Sequence, residues 1–402
     1  MVAEPLDAGG AGLADHRRAR PVIETRDAFA SAVTAIAEGD GPVAVDAERA
    51  SGFRYSQRAY LIQVFRRGAG TFLFDPPAIG EMSELGEVVG EDEWIIHAAS
   101  QDLTCLREVG LHPRRVFDTE LAARLLGMER VGLGAVVEEL LGVHLEKAHS
   151  AVDWSIRPLR EEWLEYAALD VELLVDVRDA LAVRLEEAGK TGFAAEEFAA
   201  TLGRDLSPVR ADPWRRMSDL HTVRGQRNLA VARELWLARD AYAQEIDVAP
   251  GRLVPDRSLA AAARLLPSSK RALADLKEFN GRASRTQLDR WWAAIELGRT
   301  TDDLPAVRGS GDALPPVRAW ADRNPEAAAR LAPAKEAVAA IAEELAIPLE
   351  NLLTPEHLRR LAWAPPEPAT TEAIGEALKA LGARPWQIAL TAQRIADSFS
   401  AA

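Results

Sequence analysis

Between Pro42 and about Thr119 the apolar residues fall into short runs, each ended by polar or turn-forming residues. PVAVDAE (42–48), AYLIQVFR (59–66) and TFLFD (71–75) have the length and composition of strands. The Gly-containing RRGAG between the last two predicts an antiparallel meander. WIIHA (94–98) and RVFDT (115–119) are each followed by helical apolar spacing, which predicts parallel strands joined by crossover helices. The first half is therefore expected to form a mixed sheet with helices on its faces.

From about Pro208 the strand pattern stops. RGQRNLAVARELWLARDAYAQEIDV predicts a long helix that ends before the turn-rich APGRLVPD, and RSLAAAARLLP and RTQLDRWWAAIELGR predict further helices. The stretch TTDDLPAVRGSGDALPP is rich in Gly, Asp and Pro and reads as a linker. Beyond it the same order returns, a long helix, a Pro-bounded turn and shorter helices. The expected organisation is a disordered N-terminal tail over 1–21, an α/β domain over 22–205, an all-α domain over 206–300, a linker over 301–312 and a second all-α domain over 313–402.

Composition narrows the class. Apolar content of 48% and charged content of 27% fit a globular protein. No apolar run approaches the roughly 20 residues of a membrane span, and the start of the chain lacks the apolar core of a signal peptide. A single cysteine, Cys105, excludes an internal disulfide and a thiolate metal cluster. These features together predict a cytoplasmic protein with no membrane partner. The net charge of −14 is unevenly spread: residues 206–300 carry 17 Lys and Arg against 11 Asp and Glu. The middle third is basic, while both flanks are acidic.

Candidate chemistry begins at the end of the first apolar run. Asp46 and Glu48 are two apart on a strand, so both point to one face. Two carboxylates crowded in low dielectric suppress each other's ionisation unless a cation lies between them. Asp102 stands at the opening of a helix, and Tyr166 and Asp170, four apart in EEWLEYAALDVELL, share a helix face. Singly, each has an ordinary explanation as a turn residue, a dipole partner, packing or a solvated charge.

Jointly they do not. Asp-x-Glu on a first strand, Asp at a later helix start and Tyr-x-x-x-Asp on a further helix resemble the DEDD exonuclease superfamily, in the subclass that uses Tyr where other members use His. HAASQDL, DTELAARLL and LLGVHLEKAHSAVDWSIRPLREEWLEYAALDVELL resemble, within it, the ribonuclease D family. The basic segment PWRRMSDLHTVRGQRNLAVARELWLARDAYAQEIDVAPGRLVPDRSLAAAARLLP resembles the HRDC domain, a helical module that ribonuclease D shares with a family of helicases. The final segment resembles a second such module. Two positions depart from the family pattern: Arg49 where an aromatic follows the Glu, and Gln101 where Glu often precedes the Asp.

The resemblance implies a ribonuclease H-like α/β exonuclease domain followed by two HRDC-like domains. It implies a 3′–5′ exoribonuclease that hydrolyses RNA 3′ ends with two divalent ions, Mg²⁺ or Mn²⁺, and acts on tRNA precursors or other structured RNA. Hard ions favour such oxygen ligands. By position, Asp46 would bridge both ions, Glu48 and Asp170 would complete the site of the attacking water, Asp102 would support the second ion, and Tyr166 would orient the water. A phenol with a pKa near 10 is a poor base at neutral pH. Two other readings stay open on the sequence alone, an exonuclease preferring DNA and an inactive nucleic-acid-binding adaptor.

Long-range attraction for a polyanion is expected from the basic module. Deleting residues 206–402 should weaken RNA binding and reduce its salt dependence, read as the slope of log K against log salt. An unchanged slope would assign that module another task.

Overall fold

The structure is a computed structural model that describes residues 21–145, 151–205, 211–307 and 314–401. The expected tail, up to residue 20, and the linker residues 308–312 lie outside the described residues. Among the described residues six strands form one sheet: β1 (Val22–Ile23), β2 (Asp40–Arg49), β3 (Ala59–Arg67), β4 (Gly70–Phe74), β5 (Glu93–Ile96) and β6 (Arg115–Asp118). Their spatial order is β1-β4-β3-β2-β5-β6. The sheet is mixed, as the apolar pattern predicts.

β3 and β4 pair antiparallel from Ile62 opposite Phe74 to Arg66 opposite Gly70. The reversal uses the left-handed conformation at Gly68 (φ 83°) and Gly70 (φ 95°), which matches the twist of a tight hairpin. β2 lies beside β3 and pairs parallel with β5, Ala44 opposite Ile95. β5 in turn pairs parallel with β6, Ile96 opposite Asp118. The carboxyl ends of β2, β5 and β6 therefore meet at one end of the sheet, where open α/β sheets place their ligands. β1 is a two-residue strand parallel to β4, and nothing in its sequence announces it.

Val43, Ala44 and Val45 are consecutive and all buried, so β2 is covered on both faces. One face is covered by the helices Glu161–Glu172 and Leu174–Glu187: Ala44 and Ile95 pack with Val171, Leu174 and Val175, joined by Phe65 and Leu133. Burying five such side chains contributes of order 1.5–3 kcal/mol for each large one.

The chain divides into two compact units. One takes in the residues up to Glu48, Ala59–Ser150 and Ile156–Leu202, and the other Arg49–Arg58, Ala151–Ser155 and the chain from Gly203 on. In the second unit every regular element beyond Gly203 among the described residues is helical. Its first core joins Trp214, Leu235, Leu259, Phe279, Trp291 and Ile295. The expected helix RTQLDRWWAAIELGR is broken at Gln287 into Arg282–Thr286 and Leu288–Thr300, and the Trp291 indole N–H bridges the break to the Ala283 carbonyl (3.0 Å). The order of a 20-residue helix, a single turn and a shorter helix occurs twice: Gln226–Glu245, Pro250–Leu253 and Asp256–Leu265, then Pro325–Glu344, Leu349–Leu352 and Pro355–Trp363. Among the described residues no helix is long and apolar enough to cross a membrane.

The segment Arg49–Arg58 begins directly after Glu48 yet belongs to the helical unit. The Tyr55 hydroxyl donates to Asp240 (3.1 Å), the Ser56 N–H to Asp247 (2.8 Å) and the Ala249 N–H to the Phe53 carbonyl (3.0 Å). Arg252 donates to the Gly52 carbonyl (2.6 Å) and lies over the Phe53 ring at 4.0 Å. A truncation at residue 206 thus removes this segment's partners as well as positive charge, and the salt slope separates the two losses.

Gly298 lets its helix approach Gln226–Glu245 closely, since an added Cβ would stand 2.5 Å from the Val231 Cα. Gly298→Ala is expected to destabilise the helical unit by about 1–3 kcal/mol through overpacking. Urea unfolding followed by tryptophan fluorescence measures it, and an unchanged midpoint would contradict the close approach.

Candidate active site

Ala44, Asp46 and Glu48 alternate onto the same face of β2, and Ala44 packs against Val171 of the helix Glu161–Glu172. Asp46 and Glu48 therefore emerge toward that helix just past its apolar contact. Arg160 precedes the helix, Glu161 and Glu162 complement the dipole in its first turn, and Ala167 and Ala168 keep its buried side thin. Thr71 donates to Glu172 (2.5 Å), and in the following helix Arg178 donates to Glu93 (2.8 Å) and Arg67 bonds Asp176 (2.6 Å). These ties hold the helix pair over the sheet. As a result Asp170, the residue one turn beyond Tyr166, comes down on the strand carboxylates. Ligand-capable oxygens of Asp46, Glu48 and Asp170 all lie within 4.8 Å of one another.

The environment of that cluster disfavours charge. Burial pushes the Asp170 carboxyl up to about 8, and the negative charge of Asp46 adds to the effect. A hydrogen bond donated by the Tyr166 hydroxyl pulls it partly back. Tyr166 itself is raised far above the ordinary phenol value, by burial first and then by the charges of Asp170 and Glu48. Three carboxylates this close ionise together only if positive charge joins them. An all-oxygen donor set fits a hard divalent cation and offers nothing to a soft one.

Asp102 is placed differently. It begins the helix Leu103–Arg107, is 6% exposed, and does not belong to the set of three mutually close carboxylates. A 3₁₀ turn, Ala99–Gln101, carries the chain from the end of β5 to this position. Gln101 is exposed and Arg49 is half-buried. Cys105 is buried, as its apolar helix face predicts. His97 has its imidazole held neutral, its pKa lowered to about 4 by burial, with Nδ1 2.8 Å from the Thr119 hydroxyl. His112, His144 and His221 are exposed, His149 lies outside the described residues, and Trp291 is core packing.

Asp118 carries no signal of function in the sequence. It ends β6, is 2% exposed, and burial raises its carboxyl to about 6 even though backbone N–H groups of Leu121, Ala99 and Ala98 bond it. In the sequence it stands inside RVFDT, where an acid after a strand and before a helix reads only as a cap.

Comparison with known proteins matches three segments to family models: a 3′–5′ exonuclease over residues 21–186, an HRDC domain over 228–295 and a 3′ to 5′ exonuclease C-terminal domain over 313–399. Ribonuclease D of Granulibacter bethesdensis is 32% identical over 312 residues, spanning 72% of this chain and 73% of that protein. Alignment to another ribonuclease D spans only about half of it (51%). A crystal structure of a protein from Bifidobacterium adolescentis superposes with a TM-score of 0.87 at 36% identity, covering 95% of this chain and 97% of that one. The crystal structure of Escherichia coli RNase D, described as an exoribonuclease involved in structured RNA processing, superposes with a TM-score of 0.68 at 28% identity, covering 90% and 98%.

The raised Asp170 carboxyl sets a pH dependence. Without a cation the native state keeps a proton there that the unfolded chain has lost above the ordinary value of 3.8. That contribution to stability is full below the unfolded value and is lost as pH rises toward about 8. Asp170→Asn, always neutral, removes the decline. In the presence of chelator its Tm relative to the parent should therefore rise between about pH 5 and about pH 8, and a pH-independent difference would rule this out.

Proposed function

This chain belongs to the ribonuclease D family and is a 3′–5′ exoribonuclease, and we propose that it trims structured RNA at the 3′ end using Asp46, Glu48, Asp102, Tyr166 and Asp170. The observation that carries the reading is the convergence of Asp46, Glu48 and Asp170 within 4.8 Å from two elements more than a hundred residues apart. The family implies Mg²⁺ or Mn²⁺ as the ions.

Asp46, flanked in the cluster by Glu48 on the strand and Asp170 on the helix, is the residue that both ions would share. Glu48 and Asp170 would complete the first position, and Asp102 would serve the second. Two such ions, once held, would supply the nucleophilic hydroxide, relieve charge at phosphorus and stabilise the departing 3′ oxygen. Tyr166 keeps its proton, because burial and the neighbouring carboxylates raise its pKa. With that proton given to Asp170 in a hydrogen bond, its oxygen is left to accept from the attacking water and orient it, and it does not serve as the base. Losing it misplaces the water, an error that costs about 10²-fold in rate when the misplacement nears 1 Å.

The choice of structured RNA rests on the description of the Escherichia coli relative and on the helical region. The net excess of six positive charges in residues 206–300 supports a share in holding the polyanion. Precursors of tRNA with 3′ extensions are the substrate the family implies.

The test compares matched 5′-labelled RNA and DNA strands, with Mg²⁺, Mn²⁺ or chelator. Stepwise shortening of RNA is expected with either metal and none with chelator or with Asp46→Ala. Tyr166→Phe should lower kcat by about 10²-fold while leaving the metal requirement in place. Equal loss in the two variants would refute the division of roles. Equal or faster shortening of DNA would refute the RNA preference.

A further inference from the structure

Ala98, two residues past the end of β5, holds the left-handed conformation (φ 58°, ψ 50°). For a residue with a Cβ this costs of order 1 kcal/mol and persists only where surroundings enforce it. The enforcing group is the carboxylate of Asp118. Its Oδ1 accepts from the Ala98 N–H (3.1 Å) and its Oδ2 from the Ala99 N–H (2.9 Å). The same Oδ1 accepts from the Glu120 (3.0 Å) and Leu121 (3.1 Å) N–H groups, capping the helix Thr119–Leu125. Capping alone would need one oxygen. The turn after β5 takes a share of that oxygen and the whole of the second.

That turn leads straight to Asp102. The Gln101 N–H donates to the Ala98 carbonyl (2.9 Å) and the Asp102 N–H to the Ala99 carbonyl (3.1 Å), so the two clamped residues carry the next two by hydrogen bonds. The Cys105 thiol donates to the Asp102 carbonyl (3.1 Å) and fixes the other side. The strand carboxylates are placed by a sheet covered on both faces, whereas Asp102 stands where this short turn passes into the helix Leu103–Arg107.

We infer that Asp118 is a positioning residue for Asp102: by clamping the left-handed turn at Ala98 and Ala99 it sets where the fourth carboxylate stands relative to Asp46, Glu48 and Asp170. This rests on the proposed role of Asp102 at the second cation. It gives a task to the second oxygen of a carboxylate that is only 2% exposed. Partners that orient a ligand from behind typically account for 10–100-fold in metal affinity.

The experiment uses the full chain and Mn²⁺ as probe, counting bound ions by electron paramagnetic resonance and calorimetry, alongside kinetics over a range of Mg²⁺. Asp118→Asn keeps one acceptor and loses the other. It should leave the circular dichroism unchanged and weaken the weaker Mn²⁺ site about 10–100-fold. The stronger site and the KM for RNA should stay as they are, with kcat recovering as Mg²⁺ is raised. Adding Asp118→Asn to Asp102→Asn should cost no further Mn²⁺ affinity, because the first change acts through the second residue. Wild-type Mn²⁺ binding at both sites together with a lowered Tm would overturn the inference and leave Asp118 a helix cap. If Asp118→Ala fails to fold, the asparagine variant decides. Failure of the parent reading is recognisable separately: Asp46→Ala would then bind Mn²⁺ and cleave RNA like the parent chain.

Discussion

Mutual repulsion among carboxylates in a partly buried cluster is the constraint to which the nuclease unit answers. Two unit charges about 4 Å apart repel by roughly 4 kcal/mol at an effective dielectric near 20. A single ordinary hydrogen bond returns only about 1 kcal/mol. Asp46, Glu48 and Asp170 therefore stay together because their backbones are held by forces that do not involve them. β2 is packed on both faces, and the helix bearing Asp170 is tied down through Val171, Glu172 and the ion pairs of the helix that follows. Burial first, and then the negative charge of Asp46, raises the Asp170 carboxyl.

The two units divide the electrostatic work. The nuclease unit carries a negative excess, and the first helical module carries a positive one. The segment Arg49–Arg58 joins the two tasks through the chain itself: it starts one residue after Glu48 and is anchored by Asp240, Asp247, Ala249 and Arg252 of the helical unit.

Much of this was legible in residue spacing. A period of two put Asp46 and Glu48 on one face, a period near 3.6 put Tyr166 and Asp170 on another, and apolar runs separated by Gly and Pro marked β2 to β6 in place. The strand Val22–Ile23 was not legible, because two residues carry no period and its partner β4 lies fifty residues on. The break at Gln287 was missed for a similar reason: continuous helical spacing does not register a single residue leaving helical geometry.

The sequence by itself determined which residue types could carry the chemistry and which local element each would occupy, since side-chain period and cation preference are local properties. Only the tertiary structure decided who meets whom. It brought Asp170 to within 4.8 Å of two acids over a hundred residues earlier, and left Asp102 outside that set. It also turned Asp118 from a helix cap into a clamp on a turn twenty residues before it. Those outcomes depend on strand order, register and backbone N–H groups, and backbone groups are the same in every residue but proline, so no pattern of side chains announces where they will point.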